Sequence, residues 1–137
     1  THVPLIANWK GVTPEGRVLD DLIDSTDVFP TLAELAGVDL GPYQPIDGRS
    51  FLPQLRGERG NPREWVFFHH DPRPGWDKER FRLERWVRDH RYKLFEDGRL
   101  YDIAQDPQEQ RPILPGQDTP EQAAARQRLQ TVLLQMR

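Results

Sequence analysis

Thirteen prolines recur along the whole length of this 137-residue chain instead of collecting in one linker. Each lacks a backbone N–H and holds φ at about −65°, so it interrupts a helix interior or a strand ladder. A chain punctuated in this way builds short elements joined by irregular connections. The length is that of one ordinary domain, which buries at best about 68% of its unfolded surface. Its core therefore rests on a few large side chains, drawn from four Trp, six Phe and three Tyr.

Charge narrows the partners. Nineteen Lys and Arg stand against 22 Asp and Glu, a formal net charge of −3. A dedicated nucleic-acid-binding domain is usually strongly basic, so no nucleic-acid partner is expected. No apolar run approaches the roughly 20 residues a membrane helix needs, so no membrane partner is expected either. The opening stretch THVPLIANWKG carries none of the regions of a signal peptide. The chain has no cysteine, which excludes disulfides, thiolate nucleophiles and Cys-based zinc sites in it.

The pattern of residues predicts the elements. Val3 to Trp9 reads as a buried strand, closed by Lys10-Gly11. Asp24 to Gly37 reads as a helix capped by Ser25 or Thr26, with Val28, Leu32 and Leu35 on one apolar face and Gly37 as its stop. Residues 39–63 read as an irregular connection, pinned by a helical turn around Phe51, Leu52 and Leu55; Asp47-Gly48-Arg49-Ser50 looks like a turn whose Asp side chain bonds its own backbone. Strands are expected at Glu64–Phe68, Arg85–Arg88, Tyr92–Phe95 and Arg99–Ile103, with a hairpin at Glu96-Asp97-Gly98. Thr119-Pro-Glu-Gln122 carries an N-cap, Pro at N1 and a capping-box Gln. The helix it opens has Leu129, Val132, Leu133 and Met136 on one side and should pack on the antiparallel sheet.

The densest polar group is His69-His70-Asp71, directly after the first of these strands and before Pro72-Arg73-Pro74-Gly75-Trp76. Sites gather where strands open into loops, and adjacent residues on a strand point to opposite faces. The two histidines read either as exposed side chains closing a strand or as polar contacts to an anionic or hydroxylated substrate, with His70 and Arg73 leading. Lys78, Arg80, Arg82, Arg85, Arg88, Arg91 and Lys93 alternate with apolar residues and could make one face basic. Interleaved Asp77, Glu79, Glu84, Asp89 and Glu96 nearly cancel that charge, as on an ordinary solvated face. No metal-ligand spacing is present. Ser25 and Ser50 are the only serines, neither lies in a nucleophile elbow, and Ser25 reads as a helix cap.

In series, four segments resemble the closing part of sulfatases of the alkaline-phosphatase superfamily. VPLIANWKG is similar to the family strand VPxIxxWPG, and DLIDSTDVFPTLAELAGV to the helix SxxDxxPTLLxLAG after it. DGRSFLPQLRGE resembles DGxSLxPLLxGE. RWVRDHRYKLFEDGRLYDIAQDPQEQRPI resembles RAVRxxRYKLxxxxxxxELYDLxxDPxExxNL. Order and spacing agree, and the resemblance covers residues 1 to about 113.

The resemblance implies an α+β fold: a small antiparallel sheet of about four strands with a C-terminal helix packed on it, preceded by a strand and helix that belong to the large α/β sulfatase domain. Residues 1–38 would be that last strand and helix, 39–63 the connection and 64–137 the C-terminal subdomain. It further implies a C-terminal piece of a sulfatase, inactive alone, whose partner is the N-terminal catalytic domain of the same protein. Calcium and formylglycine, the latter made from a cysteine or serine in a CxPxR motif, are expected in that missing N-terminal part, with no cofactor in this chain. A sulfated small molecule or carbohydrate would be the substrate, in a family that is typically periplasmic, secreted or lysosomal. Where the family shows WEHxGxRAVR, His70 matches the His and Arg85 the Arg before AVR, with an insertion at 71–84 between them. The substrate-binding candidates are thus His70, Arg73 and Arg85, together with His69 and Trp76, and no residue is a catalytic or metal-binding candidate. Two other readings remain open: a stand-alone binding module for anionic carbohydrate, and part of a phosphoric-ester hydrolase of the same superfamily. An isolated strand at Val3–Trp9 would also invite self-association through its edge.

Overall fold

The computed structural model describes residues 3–71 and 83–136, which divide into two compact units, Thr1–Arg63 and Glu64–Arg137.

In the first unit, helix α1 (Val28–Leu35) follows a single 3-10 turn, Ser25–Asp27. The cap of that turn is Asp24, not Ser25 or Thr26: its carboxylate accepts from the Thr26 amide at 2.9 Å, while the Asp27 carboxylate accepts from the Asp24 amide at 2.8 Å. Carboxylates at both positions satisfy donors that the turn itself leaves free. At the other end Gly37 has φ +69, and the Val38 amide reaches back to the Ala33 carbonyl at 2.9 Å, a Schellman closure.

The buried side of α1 is the reverse of the expected one. Pro30, Thr31 and Ala33 are buried, whereas Val28, Leu32 and Leu35 are exposed together with Phe29. Thr31 turns inward with Pro30 and Ala33 because its hydroxyl satisfies backbone groups: Thr31 Oγ1 accepts the Phe51 amide at 3.0 Å and donates to the Asp27 carbonyl at 2.6 Å. Helix α2 (Leu52–Leu55) packs there, with Phe51 and Leu52 buried and the Ser50 hydroxyl accepting the Leu52 amide at 3.2 Å.

The turn before it is likewise held differently from expectation. Asp47 offers its carbonyl to Arg63 Nη2 at 2.8 Å, and the Arg49 amide donates to Asp27 Oδ1 at 2.6 Å. Gly48 is required by close approach, since a Cβ there would lie 2.1 Å from the Thr26 carbonyl oxygen and 2.8 Å from Pro30 Cγ. Gly48→Ala should therefore cost about 1–3 kcal/mol by overpacking, read as a lowered urea midpoint with unchanged slope. Residues 3–9 form no strand; Val3, Leu5 and Ile6 are exposed. A strand exists only through a neighbour that takes its hydrogen bonds, and no strand pairs with this segment among the described residues.

The second unit is an antiparallel sheet in the order β1 (Val66–His70), β2 (Glu84–Arg88), β3 (Tyr92–Phe95), β4 (Leu100–Asp102), followed by helix α3 (Pro120–Gln135). Gly98 at φ +91 turns β3 into β4, and its amide donates to the Phe95 carbonyl at 3.0 Å. Thr119, Pro120 and Gln122 form the expected cap of α3. One sheet face supplies Val87, Tyr92, Leu94 and Leu100 to a core closed by Ala125, Leu129, Val132 and Leu133 of α3. Met136, expected on that side, lies past the helix end and is exposed. The other face carries a smaller cluster of Trp86, Phe95 and Tyr101. Among the described residues no helix is long and apolar enough to cross a membrane.

Candidate functional site

Strand β1 sits two residues later than the sequence pattern suggests, so His69 and His70 are inside the strand and not in the loop after it. The register decides this, pairing Phe68 with Trp86, His69 with Arg85 and His70 with Glu84. Because side chains alternate, His69 and Arg85 share the face that carries α3, whereas His70 shares the opposite face with Phe68 and Trp86. His70 and Arg85 are thus not brought together. Both histidines are exposed, at the outer edge of the sheet. Arg73 and Trp76, with Lys78, Arg80 and Arg82, lie outside the described residues.

The rings on the His70 face are ordered. Phe68 stacks on Trp86 with centroids 4.8 Å apart and 14° between planes, and His70 lies 6.3 Å from Phe68 at 18°. Next in the row comes a buried cation: Lys93 Nζ stands 4.3 Å from the Trp86 ring centroid and 4.6 Å from that of Phe95. The Arg99 guanidinium follows over Phe95 at 4.5 Å. Lys93 is only 4% exposed, and its charge is met by both carboxylate oxygens of Glu109 at 2.7 and 2.8 Å. To reach it, Glu109 takes φ +55 in the loop after β4, where its amide donates to the Asp106 carbonyl at 3.0 Å.

The described members of the basic set form no continuous basic face, in keeping with the interleaved acidic residues. Arg85 points to the α3 face and lies 3.7 Å from Glu96. Arg91 donates to Asp102 Oδ2 at 2.9 and 3.1 Å and to Glu121 at 2.7 Å, and the Asp102 bond raises its pKa further. Lys93 is buried against Glu109. Strand alternation splits the cations between faces, and local carboxylates neutralise them.

Sequence reading passed over Phe68, Trp86, Lys93 and Glu109 as a group. The signal available for the rings was the alternation of Val66, Phe68 and His70, which needs the strand bounds to be interpreted. Lys93 and Glu109 lie 16 positions apart, and nothing local links them.

Chemically, the exposed imidazoles and the ring row can bind and orient a ligand. Among the described residues no group of three or more His, Asp or Glu could hold a metal ion. Both serines are engaged locally: Ser25 donates to Asp24 at 3.4 Å, and Ser50 accepts from Leu52.

Three comparisons bear on this geometry. The family model described as N-sulphoglucosamine sulphohydrolase, C-terminal, matches residues 1–137. Arylsulfatase D of Homo sapiens is 38% identical over 69 residues, covering 50% of this chain and 12% of that protein. The ulvan-active sulfatase of Formosa agariphila is 33% identical over 104 residues, covering 75% of this chain and 20% of that protein. Among solved structures, a 2-O GAG sulfatase superposes with a TM-score of 0.59 at 26% identity, over 80% of this chain and 23% of that one. The chain spans less than a quarter of the length of each of these relatives.

Proposed function

The chain belongs to the N-sulphoglucosamine sulphohydrolase C-terminal family and is a sulfatase C-terminal region, and from that premise we propose that it completes the substrate cleft of a sulfuric-ester hydrolase whose chemistry lies in an N-terminal catalytic domain of the same protein. The supporting observation is the edge of β1, where His69 and His70 stand exposed on a sheet stiffened by α3 on one face and by the stacked rings on the other.

Calcium and formylglycine, implied by the family, do not fit the residues described. Among the described residues no carboxylate cluster converges to hold the cation, the sequence has no cysteine, and both serines serve the backbone or its caps. The contribution of this part is binding: the imidazole N–H groups of His69 and His70 can donate to hydroxyl or sulfate oxygens, with His70 the leading contact. Arg85 belongs with His69 on the opposite face from His70, and Arg73 and Trp76 stay candidates from the sequence alone, outside the described residues. The substrate class is a sulfated carbohydrate, which the ulvan-active sulfatase and the 2-O GAG sulfatase among the relatives support.

The 137-residue chain alone should release no sulfate from an aryl sulfate with or without added calcium, while the intact protein should. In the intact protein His70→Ala should lower kcat/KM about tenfold or more without lowering the melting temperature. Hydrolysis by the pure chain, or unchanged kinetics in the variant, would remove the reading.

A further inference from the structure

We propose that Phe68 and His70 form a shelf that stacks against a ring of the substrate, Phe68 covering the ring's apolar face and the His70 imidazole bonding an oxygen at its rim; this rests on the sulfatase reading above and names the recognition mode within it. Phe68 is 38% exposed at the edge strand, although its neighbours in the same row, Trp86 and Phe95, are 5% and 7% exposed. A single exposed apolar ring is ordinary on a protein surface. Here three further observations set it apart.

First, the ring is already ordered. Its stacking on Trp86 is backed by Lys93, which Glu109 holds with two bonds, so the row is fixed from the buried end outward. A ligand settling on it does not have to immobilise the side chain, which is the part of binding that usually costs entropy. Second, the ring next to it is an imidazole at 18° to its plane, so an apolar surface adjoins polar N–H or N atoms within one side-chain length. Third, the same face carries Glu84 beside His70 and Arg88 beyond Trp86, which gives the shelf a polar rim. An apolar plate with a polar border matches a ring whose faces are C–H and whose edge carries oxygens. A pyranose sulfate has that character, whereas an aryl sulfate has π faces and carries its C–H bonds at the edge.

The test uses the intact sulfatase and two substrates, a 2-O-sulfated glycosaminoglycan disaccharide and 4-nitrocatechol sulfate. Phe68→Leu keeps an apolar side chain but removes the plate; Phe68→Trp keeps the plate. Phe68→Leu should raise KM about tenfold with kcat unchanged for the disaccharide, and Phe68→Trp should stay within about twofold of wild type. An effect on the disaccharide supports the sugar ring as the occupant, and an effect confined to the catechol overturns it. Unchanged KM on both substrates overturns the shelf. So does a lowered melting temperature in Phe68→Leu with unchanged KM, because the ring would then be covering a protein contact. If the wild-type protein hydrolyses neither substrate, the sulfatase reading fails separately. Calorimetric titration with the disaccharide still decides the shelf in that case: a tenfold loss of affinity in Phe68→Leu supports it, and equal affinity or no binding heat overturns it.

Discussion

Arg63→Ala should destabilise the 3–63 unit by about 3–5 kcal/mol at neutral pH, because it strands a buried carboxylate without its counter-charge. Asp27 is 2% exposed. Arg63 Nε donates to its two oxygens at 3.0 and 2.7 Å, and Nη2 donates to Oδ1 as well. The same carboxylate also accepts the Asp24 and Arg49 amides, so it ties the start of α1 to the 47–49 turn and to the end of the unit. Burial by itself would raise the Asp27 pKa. The hydrogen bonds from Arg63, then those from the Arg49 and Asp24 amides, outweigh it and hold the group below the usual carboxylate range.

The sign of the pH dependence follows. With the folded pKa below the unfolded one, the unfolded chain binds the proton more readily, and stability is fully present above the ordinary carboxylate pKa. It is lost as pH falls below that value and through the folded pKa. Urea unfolding from pH 7 to pH 3 should show this loss in the wild type and a shallower one in Arg63→Ala. A variant within 1 kcal/mol of wild type at pH 7, an amount about equal to a surface ion pair, would mean the pair is solvated in solution.

Glu109→Ala is the second large expectation, at about 3 kcal/mol or more, for the same reason with the signs reversed. The Lys93 ammonium is buried between the Trp86 and Phe95 rings, and Glu109 is the carboxylate on it. Each ring face attracts a desolvated cation by about 2 kcal/mol or somewhat more, still too little to offset the lost hydration alone. Lys93→Met should cost less than Glu109→Ala, because Glu109 is the more exposed partner and can be rehydrated. Lys93→Met combined with Glu109→Ala should recover most of the loss, which a double-mutant cycle by denaturant unfolding reads directly. Additive single effects would show that the two groups do not share one interaction.

The closing segment of the sequence takes on physical meaning through this pair. In the stretch RYKL, Arg91 precedes β3 and Lys93 lies within it beside the Trp86 and Phe95 rings, and LYD and DPQE supply their partners, Asp102 and Glu109. Asp106 in DPQE accepts the Arg111 amide at 2.7 Å and shapes the loop that delivers Glu109. Four charged residues of the pattern answer one another in space, Arg91 with Asp102 and Lys93 with Glu109. That pattern marked the family, yet its separate letters could not reveal which answered which.

The candidate site was legible only in outline. His69 and His70 stood out as a polar pair beside an apolar run, but a shift of two residues in β1 changes their setting from loop to strand edge. The shift arises from pairing with β2, a contact with residues on the far side of the 71–83 stretch. The apolar residues of α1 mislead for a related reason. Val28, Leu32 and Leu35 do make one face, but periodicity says only that a face exists and not whether this unit covers it.

What the amino-acid order determined alone was whatever is decided within a few residues: the Thr119 cap of α3, the Gly98 turn, the four strands and the core side of α3 at Leu129, Val132 and Leu133. These depend on backbone donors, φ preferences and side-chain periods that a short window contains. Only the tertiary structure decided the strand register, the inward turn of Asp27 and Thr31, the burial of Lys93 and the ring row ending at Phe68. Each of those is a bargain between groups far apart in the chain, where desolvation and a distant partner set the outcome and local preference does not.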